Sequence, residues 1–489
     1  MKEERNGSAL PIEASLQEME AKAEPLDWMR WAKAQADLYG EKLQNPAYFG
    51  VFTGKTSEGE TFTLAGVGRL MGFRVWVSKQ GVRGALDVKG KTVAEDWERE
   101  GAPFAAMPFS ALFACCRRLY DKAKALLPAD YASVPWLGGV KSLFLEEEEQ
   151  LAADFYLPEQ EVFGTSKGQK LFSAGTLPRE VILQERDKGV RVRGKAKSIA
   201  YSPDKKTYVQ RLEKVLESLK SKEIDKIILA RRCEIESQGA LDWQQYASHL
   251  YDTYYQEYFY TFRQGDESLW CGISPSILFK QHGGIVECRV LAGSRKHYAC
   301  EERNACMRRE LAEDPKDIEE HECALSHVLE QWQKADMGTV QIAKRREVME
   351  TPYAFHLLSQ VEVSVKEEVS CFDCMGTLYP SPSVWGIPED KAEGIIKHTE
   401  TFDREYYGGV YGWFNFQGDA DFAIVIRSAK VQGNRLSVFG GGGIIAASQP
   451  ESEYDETVGK MYPLVSWFSN VSKEGTLLPD EKGQTQSAD

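Results

Sequence analysis

The sequence predicts an α/β protein, because helical and strand-like segments alternate along the chain. A helix followed by a strand at 208–235 and a glycine-rich hairpin at 420–443 are the clearest of these segments. The 489 residues, 42% of them hydrophobic, are enough to form a large core. The chain is therefore expected to contain both helices and strands.

The N-terminal region, residues 1–204, ends at a shift in composition near residue 200. Its acidic, lysine-rich start has the apolar spacing of a helix, and strand-like and helical segments follow it. The predicted segments are a helix at 12–45, strands at 47–54 and 60–70, a helix at 109–127, and a strand entering an acidic loop at 134–149.

The second region, residues 205–472, continues with longer segments. Residues 311–332 predict an amphipathic helix with Asp314 as its cap and Pro315 at its first position. Residues 420–443 predict two strands of one hairpin. The polar residues 473–489 predict a disordered tail.

The net charge of −14 argues against a general nucleic-acid surface and against an anionic membrane surface. No apolar run reaches the roughly 18 residues of a membrane span, and the first residues lack the apolar stretch of a secretory signal. We therefore expect a cytoplasmic protein, and we expect a monomer.

Two predicted helices each carry a pair of acids three residues apart. Asp317 and Glu320 share one helix face, and Glu453 and Glu456 share another. Two such pairs facing each other would form an oxygen-rich cage for a hard divalent ion, Mg²⁺ in particular. From spacing alone, exposed and solvated acids remain the alternative.

Four consecutive glycines, residues 440–443, are predicted to lie at a strand end, where exposed backbone N–H groups can bind an anion. Arg427 lies on the predicted strand that leads into them, and Lys460 follows Glu456 by one helical turn. Two cations, backbone amides and a metal cage would suit a small polycarboxylate ligand.

The second region resembles the chorismate-utilising enzymes, which include isochorismate, salicylate, anthranilate and aminodeoxychorismate synthases. Nine stretches follow in family order, and the N-terminal region agrees more loosely with isochorismate synthases. The stretches are DKIILARR, CGISPSILF, VLAGSR, EDPKDIEEH, FHLLSQVE, LYPSPSVWGIP, FDREYYGGVYGW, FAIVIRSAK and FGGGGIIAASQPESEYDETVGK.

This resemblance implies a chorismate-binding fold of two lobes, each a large, mostly antiparallel sheet flanked by helices, with the active site between them. It implies that Glu320 and Glu456 bind Mg²⁺ directly. Asp317 and Glu453 would then hold metal-bound waters.

The resemblance also implies the contacts to chorismate. The metal would bind the ring carboxylate, with Lys460 close to it, and Arg427 and the glycine amides would bind the enolpyruvyl carboxylate. His356 would lie near the ring and the departing hydroxyl. The implied substrate contacts are Arg427, Gly441, Gly442, Gly443, Lys460, Ala292, Gly293 and Ser294.

Within this family, the residue at the position of Lys226 selects the nucleophile. Enzymes that add water have lysine there as the general base, and enzymes that add ammonia have glutamine. A lysine acts as a base only when its pKa falls from about 10.4 through desolvation or nearby positive charge. The apolar neighbours of Lys226 predict that its side chain is buried, although an exposed edge lysine is the alternative.

The sequence departs from the family pattern at the reacting end of the ligand. Ser276 stands where the family has a glutamate that protonates the leaving C4 hydroxyl. Tyr379 replaces a histidine, Ser383 an alanine, and Trp385 a residue that is usually small. We expect these changes to affect the chemistry and to leave the metal ligands intact.

The resemblance favours a Mg²⁺-dependent isochorismate synthase, which adds water at C2 of chorismate while the C4 hydroxyl leaves. A salicylate synthase, which goes on to eliminate pyruvate, is one alternative. Ser276 supports another, a divergent homologue that binds chorismate with impaired chemistry. Both menaquinone and siderophore biosynthesis remain open as the pathway, and the long N-terminal region favours menaquinone.

Overall fold

The computed structural model describes residues 14–19, 23–38, 48–56, 58–98, 103–165, 167–174, 193–255, 257–265, 268–298, 300–351, 354–472 and 475–477. The predicted tail therefore lies outside the described residues apart from 475–477.

The helices of these residues are α1 (Pro25–Leu38), α2 (Phe109–Leu126), α3 (Lys205–Lys220), α4 (Trp243–Tyr254), α5 (Glu301–Glu313), α6 (Pro315–Ala335), α7 (Cys371–Leu378), α8 (Glu389–Thr399) and α9 (Pro450–Val465). The strands are β1 (Ala14–Met19), β2 (Tyr48–Lys55), β3 (Thr61–Val67), β4 (Met71–Ser78), β5 (Gly81–Val88), β6 (Lys91–Glu98), β7 (Trp136–Val140), β8 (Gln150–Leu157), β9 (Gln160–Thr165), β10 (Gly168–Ala174), β11 (Ala196–Ser202), β12 (Lys226–Ser237), β13 (Tyr258–Gln264), β14 (Leu269–Ser274), β15 (Ile277–His282), β16 (Ile285–Lys296), β17 (Gly338–Glu350), β18 (Ala354–Val365), β19 (Gly386–Ile387), β20 (Val410–Phe414), β21 (Ala420–Ile424), β22 (Ser428–Gln432) and β23 (Arg435–Ile444).

The strands form two large antiparallel sheets. The first sheet runs β1-β10-β9-β3-β2-β13-β14-β22-β23-β12-β11, with β19 also on β12, and the second runs β17-β18-β16-β15-β21-β20-β7-β8-β4-β5-β6. Strands from both sides of residue 204 lie in each sheet. The predicted fold class, two antiparallel sheets flanked by helices, is confirmed.

Aromatic side chains from the two sheets pack against each other and form the main core. Phe262 of the first sheet stacks on Tyr411 of the second, with ring centroids 3.8 Å apart. Tyr48 and Tyr156 meet edge to face at 5.0 Å. Such pairs add specific geometry to the burial of large apolar area, and they fix the two sheets face to face.

The prediction of a helix over 12–45 is correct only in part. Residues Ala14–Met19 form a strand that pairs with β10, and the helix begins at Pro25. Proline fits the first turn of a helix and breaks an interior, so Pro25 marks the true start. The helix predicted at 311–332 is also correct only in part. Residues Glu301–Glu313 form one helix, and the next helix begins at Pro315 with Asp314 as its cap, as predicted.

The hairpin predicted at 420–443 is also correct only in part. Strands β22 and β23 do form a hairpin, but Ala420–Ile424 belongs to the second sheet. The chain passes between sheets at Arg427, whose φ is +50°. A single residue in the left-handed region interrupts the strand without disturbing the apolar pattern, so the pattern alone predicted one continuous strand.

Among the described residues, none of the helices is both long enough and apolar enough to cross a membrane.

Candidate active site

The main candidate site is a cavity between the two sheets, at the point where the chain crosses from one to the other. Ser276 lies in the crossing from β14 to β15, and Arg427 lies in the crossing from β21 to β22. Backbone hydrogen bonds join these crossings, from Ile273 N–H to the Arg427 carbonyl and from Ile424 N–H to the Ser276 carbonyl. The two crossings therefore hold each other in place.

We call this space the central cavity. It encloses about 730 Å³ of unfilled space, part of it open to solvent. Its lining comprises Lys226, Ile228, Pro275, Ser276, Leu291, Ala292, Gly293, Ser294, Glu320, His356, Ser383, Tyr407, Ile426, Arg427, Phe439, Gly440, Gly441, Gly443, Glu456 and Lys460.

Most of the site residues predicted from the sequence thus meet in one cavity. Gly442, Asp317 and Glu453 are not part of its lining. Tyr379 and Trp385 also lie elsewhere: the Tyr379 hydroxyl donates to the Lys141 carbonyl, and the Trp385 indole donates to the Glu389 carbonyl. These two large side chains therefore leave the space in front of Ser276 open.

Lys226 is the first residue of β12 and is fully buried, as predicted. Its Nζ lies 3.2 Å from Glu320 Oε1. The strand that carries it is held by a buried ion pair between Arg404 and Glu400. Arg404 Nη2 donates to the Ile228 carbonyl at 2.9 Å, and Ala230 N–H donates to Glu400 at 2.7 Å.

We expect Arg404→Met to lower the free energy of unfolding by about 3–5 kcal/mol, because it leaves the Glu400 carboxylate buried without its partner. Urea unfolding measures the loss. The surface pair of Arg345 on β17 with Glu322 on α6 is the control, since such pairs contribute about 0–1 kcal/mol. Equal losses in Arg404→Met and Arg345→Met would contradict the assignment.

Glu320 on α6 and Glu453 and Glu456 on α9 come together near the glycine strand. A Cβ at Gly442 would lie 3.5 Å from Glu453 Oε2 and 3.9 Å from Glu456 Oε1, and one at Gly443 would collide with Glu320 Oε1. A side chain at position 443 would therefore displace the Glu320 carboxylate from its place against the strand.

Lysines pair with each of these three glutamates. Lys316 Nζ lies 3.1 Å from Glu453 Oε1 and 3.7 Å from Glu320 Oε2, and Lys460 Nζ lies 2.5 Å from Glu456 Oε1. In this arrangement no three histidine, cysteine, aspartate or glutamate side chains of the described residues are placed to coordinate one ion. Asp317 forms an ion pair with Arg295 instead, with Oδ2 lying 2.5 Å from Arg295 Nη1.

The pKa values of the acids near the glycine strand shift in different directions, because burial raises them and neighbouring charges oppose it to different extents. Burial, and then the neighbouring Glu456, raises the pKa of Glu453 to about 6. Burial also raises the pKa of Asp317 to about 6, against the effect of Arg295. Burial acts in the same sense on Glu456, but Lys460 and Lys316 outweigh it and hold the pKa of this carboxyl below its ordinary value.

The donor set suits a hard divalent cation, because carboxylate oxygens are the ligands that Mg²⁺ prefers. Glu453 Oε2 is buried and has no hydrogen-bond partner among the described residues. A buried carboxylate oxygen without a partner is costly, and a cation would satisfy it. The residues present therefore fit a metal chemically.

The four glycines come directly before Ile444, the last residue of β23, so they lie at a strand end as predicted. The Gly441 carbonyl accepts a hydrogen bond from Lys460 Nζ at 3.0 Å, so it points away from β12. The N–H and C=O of one strand residue point to the same side, and the direction repeats every second residue. The N–H groups of Gly441 and Gly443 thus face the cavity side, and that of Gly442 faces β12.

His356 lies on β18 opposite Ser294 of β16, and its Nδ1 is 2.8 Å from Ser294 Oγ. Burial, followed by the charges of Arg427 and Lys460, lowers the pKa of His356 to about 3. The ring is therefore neutral near pH 7. Its Nε2 and the Ser276 hydroxyl are buried and have no hydrogen-bond partner among the described residues.

Tyr407 is a cavity residue that the sequence interpretation did not single out. Its ring stacks on Phe439 with centroids 5.3 Å apart, and burial raises the pKa of its hydroxyl to about 12. Ile228, Leu291 and Ile426 complete an apolar wall. The quoted FDREYYGGVYGW stretch contains Tyr407, but only the folded chain shows which tyrosine faces the cavity.

Curated relatives match this chain over about half of its length. Isochorismate synthase MenF of Bacillus subtilis (strain 168) is 30% identical over 263 residues, which are 54% of this chain and 55% of that protein. Anthranilate synthase component 1 of Pseudomonas aeruginosa is 31% identical over 204 residues, 42% of this chain and 41% of that protein. The chain thus matches about half the length, or less, of these two relatives.

A solved structure shows the same fold. The menaquinone-specific isochorismate synthase MenF from Escherichia coli superposes with a TM-score of 0.69 at 17% identity, covering 93% of this chain and 94% of that one. The family model for chorismate binding enzymes matches residues 113–466. This match includes every residue that lines the central cavity, and the chain belongs to the family of chorismate-binding enzymes.

Proposed function

We propose that this protein is a Mg²⁺-dependent isochorismate synthase that converts chorismate to isochorismate. The observation that carries the proposal is the fully buried Lys226, whose side-chain nitrogen lies beside Glu320 at the lining of the central cavity. A lysine in that place suits a base for water, whereas anthranilate formation requires ammonia.

The charged lining provides the groups for binding a dicarboxylate. Arg427 and Lys460 supply positive charge, and the N–H groups of Gly441 and Gly443 supply donors along one strand. Cations and backbone N–H groups are the usual partners of carboxylates. The apolar wall beside them, with Tyr407 and Phe439, suits the ring of the substrate.

We propose that Lys226 takes a proton from the attacking water as its oxygen bonds to C2. The ring is held against the apolar wall while the C4–O bond breaks, and the departing hydroxide takes its proton from solvent water in the cavity. His356 is neutral and held by Ser294, and its Nε2 forms a hydrogen bond with the C4 hydroxyl. Ser276 offers a hydroxyl in place of the carboxylic acid of the family. When bound, Mg²⁺ would neutralise the ring carboxylate, held by Glu320 and Glu456, with Asp317 and Glu453 behind them.

Product analysis tests the proposal. Chorismate and Mg²⁺ are incubated with the protein, and chromatography separates the products. Isochorismate supports the proposal, and salicylate with pyruvate would assign a salicylate synthase instead. Unchanged chorismate would favour the divergent homologue that Ser276 suggests.

The metal ligands have their own test. We expect Glu320→Gln and Glu456→Gln to weaken Mg²⁺ binding by one to a few orders of magnitude, and Glu453→Gln by about 10- to 100-fold. Calorimetric titration measures the affinities. The matched control is Glu451→Gln, which changes an exposed acid on α9, the helix that carries Glu453 and Glu456. Unchanged titrations in Glu320→Gln and Glu456→Gln would contradict the metal site.

A further inference from the structure

Lys316 occupies the position between the two helices where their acids meet. Its Nζ contacts Glu453 Oε1 on α9 and Glu320 Oε2 on its own helix, α6. Its side chain is 25% exposed, so it has a direct path to solvent. Burial lowers the pKa of Lys316, but the charges of Glu320 and Glu453 raise it by more, so the side chain is charged.

Two other lysines, Lys226 and Lys460, also pair with the glutamates near the glycine strand, but they are held differently. Lys226 is fully buried at the start of β12, and Lys460 is tied to the Gly441 carbonyl as well as to Glu456. Of these three lysines, Lys316 is the one that bridges α6 and α9. Buried carboxylates without a compensating charge are costly, so Lys316 stabilises the approach of Glu320 and Glu453 to each other.

We propose that Lys316 is an internal counter-ion that substitutes for the divalent cation and is displaced toward solvent when the metal binds. This inference rests on the proposed metal site. The oxygens that Lys316 contacts belong to Glu320 and Glu453, and an ammonium group beside a divalent ion would be repelled strongly at such short range. Lys316 therefore competes with the metal and weakens its binding.

The first test compares Lys316→Met, which removes the charge and keeps the chain length, with Lys316→Arg, which keeps the charge. Calorimetric titration with MgCl₂ should show binding about tenfold tighter, or more, in Lys316→Met and no tighter in Lys316→Arg. Thermal unfolding should show Lys316→Met to be less stable than the parent without Mg²⁺ and to recover with it. Equal or weaker binding in a folded Lys316→Met would overturn the proposal.

The second test uses the parent protein, so it does not depend on a variant that folds. Lysine acetylation is mapped by mass spectrometry with and without saturating MgCl₂. Labelling of Lys316 should rise with Mg²⁺, while the exposed Lys91 stays constant as the control. Unchanged labelling of Lys316 at a Mg²⁺ concentration that calorimetry shows to be saturating would overturn the inference and leave the metal site standing. Absence of Mg²⁺ binding in both the parent and Lys316→Met would overturn the metal site and this inference together.

Discussion

Replacing Lys226 with glutamine is expected to lower the rate of water addition by about 10²- to 10⁴-fold, the usual contribution of a general base. Glutamine has a similar size but cannot accept the proton of the attacking water. Because Lys226 is fully buried and lines the cavity, we expect its loss to leave that water without a base. Steady-state formation of isochorismate measures the effect.

The control for this change is Lys220→Gln, which replaces an exposed lysine at the end of α3. Its turnover should equal that of the parent. Thermal unfolding of Lys226→Gln establishes that the loss is not a loss of fold. Turnover within a few-fold of the parent would show that Lys226 is not the base.

Changing Ser276 to glutamate is expected to raise turnover by about 10²- to 10⁴-fold, or roughly 3–5 kcal/mol in the barrier. The parent should be slow, because a serine hydroxyl cannot supply a proton near neutral pH as a carboxylic acid can. Since Ser276 lines the cavity and neither Tyr379 nor Trp385 does, a longer side chain can extend toward the ligand.

Ser276→Gln is the matched control, because it has the size of glutamate without the acid. It should stay as slow as the parent, and Mg²⁺ and chorismate affinities should change little in both variants. The competing explanation is a water held by the Ser276 hydroxyl that serves as the proton donor. Ordinary turnover in the parent, with a loss on Ser276→Glu, would favour that water and refute our view of Ser276.

Local features of the chain predicted its mixture of helices and strands, and the family resemblance predicted the two-sheet fold and most of the candidate site residues. Residue spacing predicted the two acid pairs, the Asp314 cap and the α3–β12 unit, because capping and helical periodicity depend on residues close together in the chain. The family resemblance added the roles, since its nine ordered stretches can be matched without knowing how the segments pack.

Other features depend on contacts between segments that are distant in the sequence. The pairing of Ala14–Met19 with β10, the passage between sheets at Arg427, and the position of Tyr407 all arise from such neighbours. The same holds for Lys316, which looks in the sequence like an ordinary lysine near a helix start. Only the fold places its charge between Glu320 on α6 and Glu453 on α9, because the spacing of residues along the chain does not determine which side chains of separate helices meet.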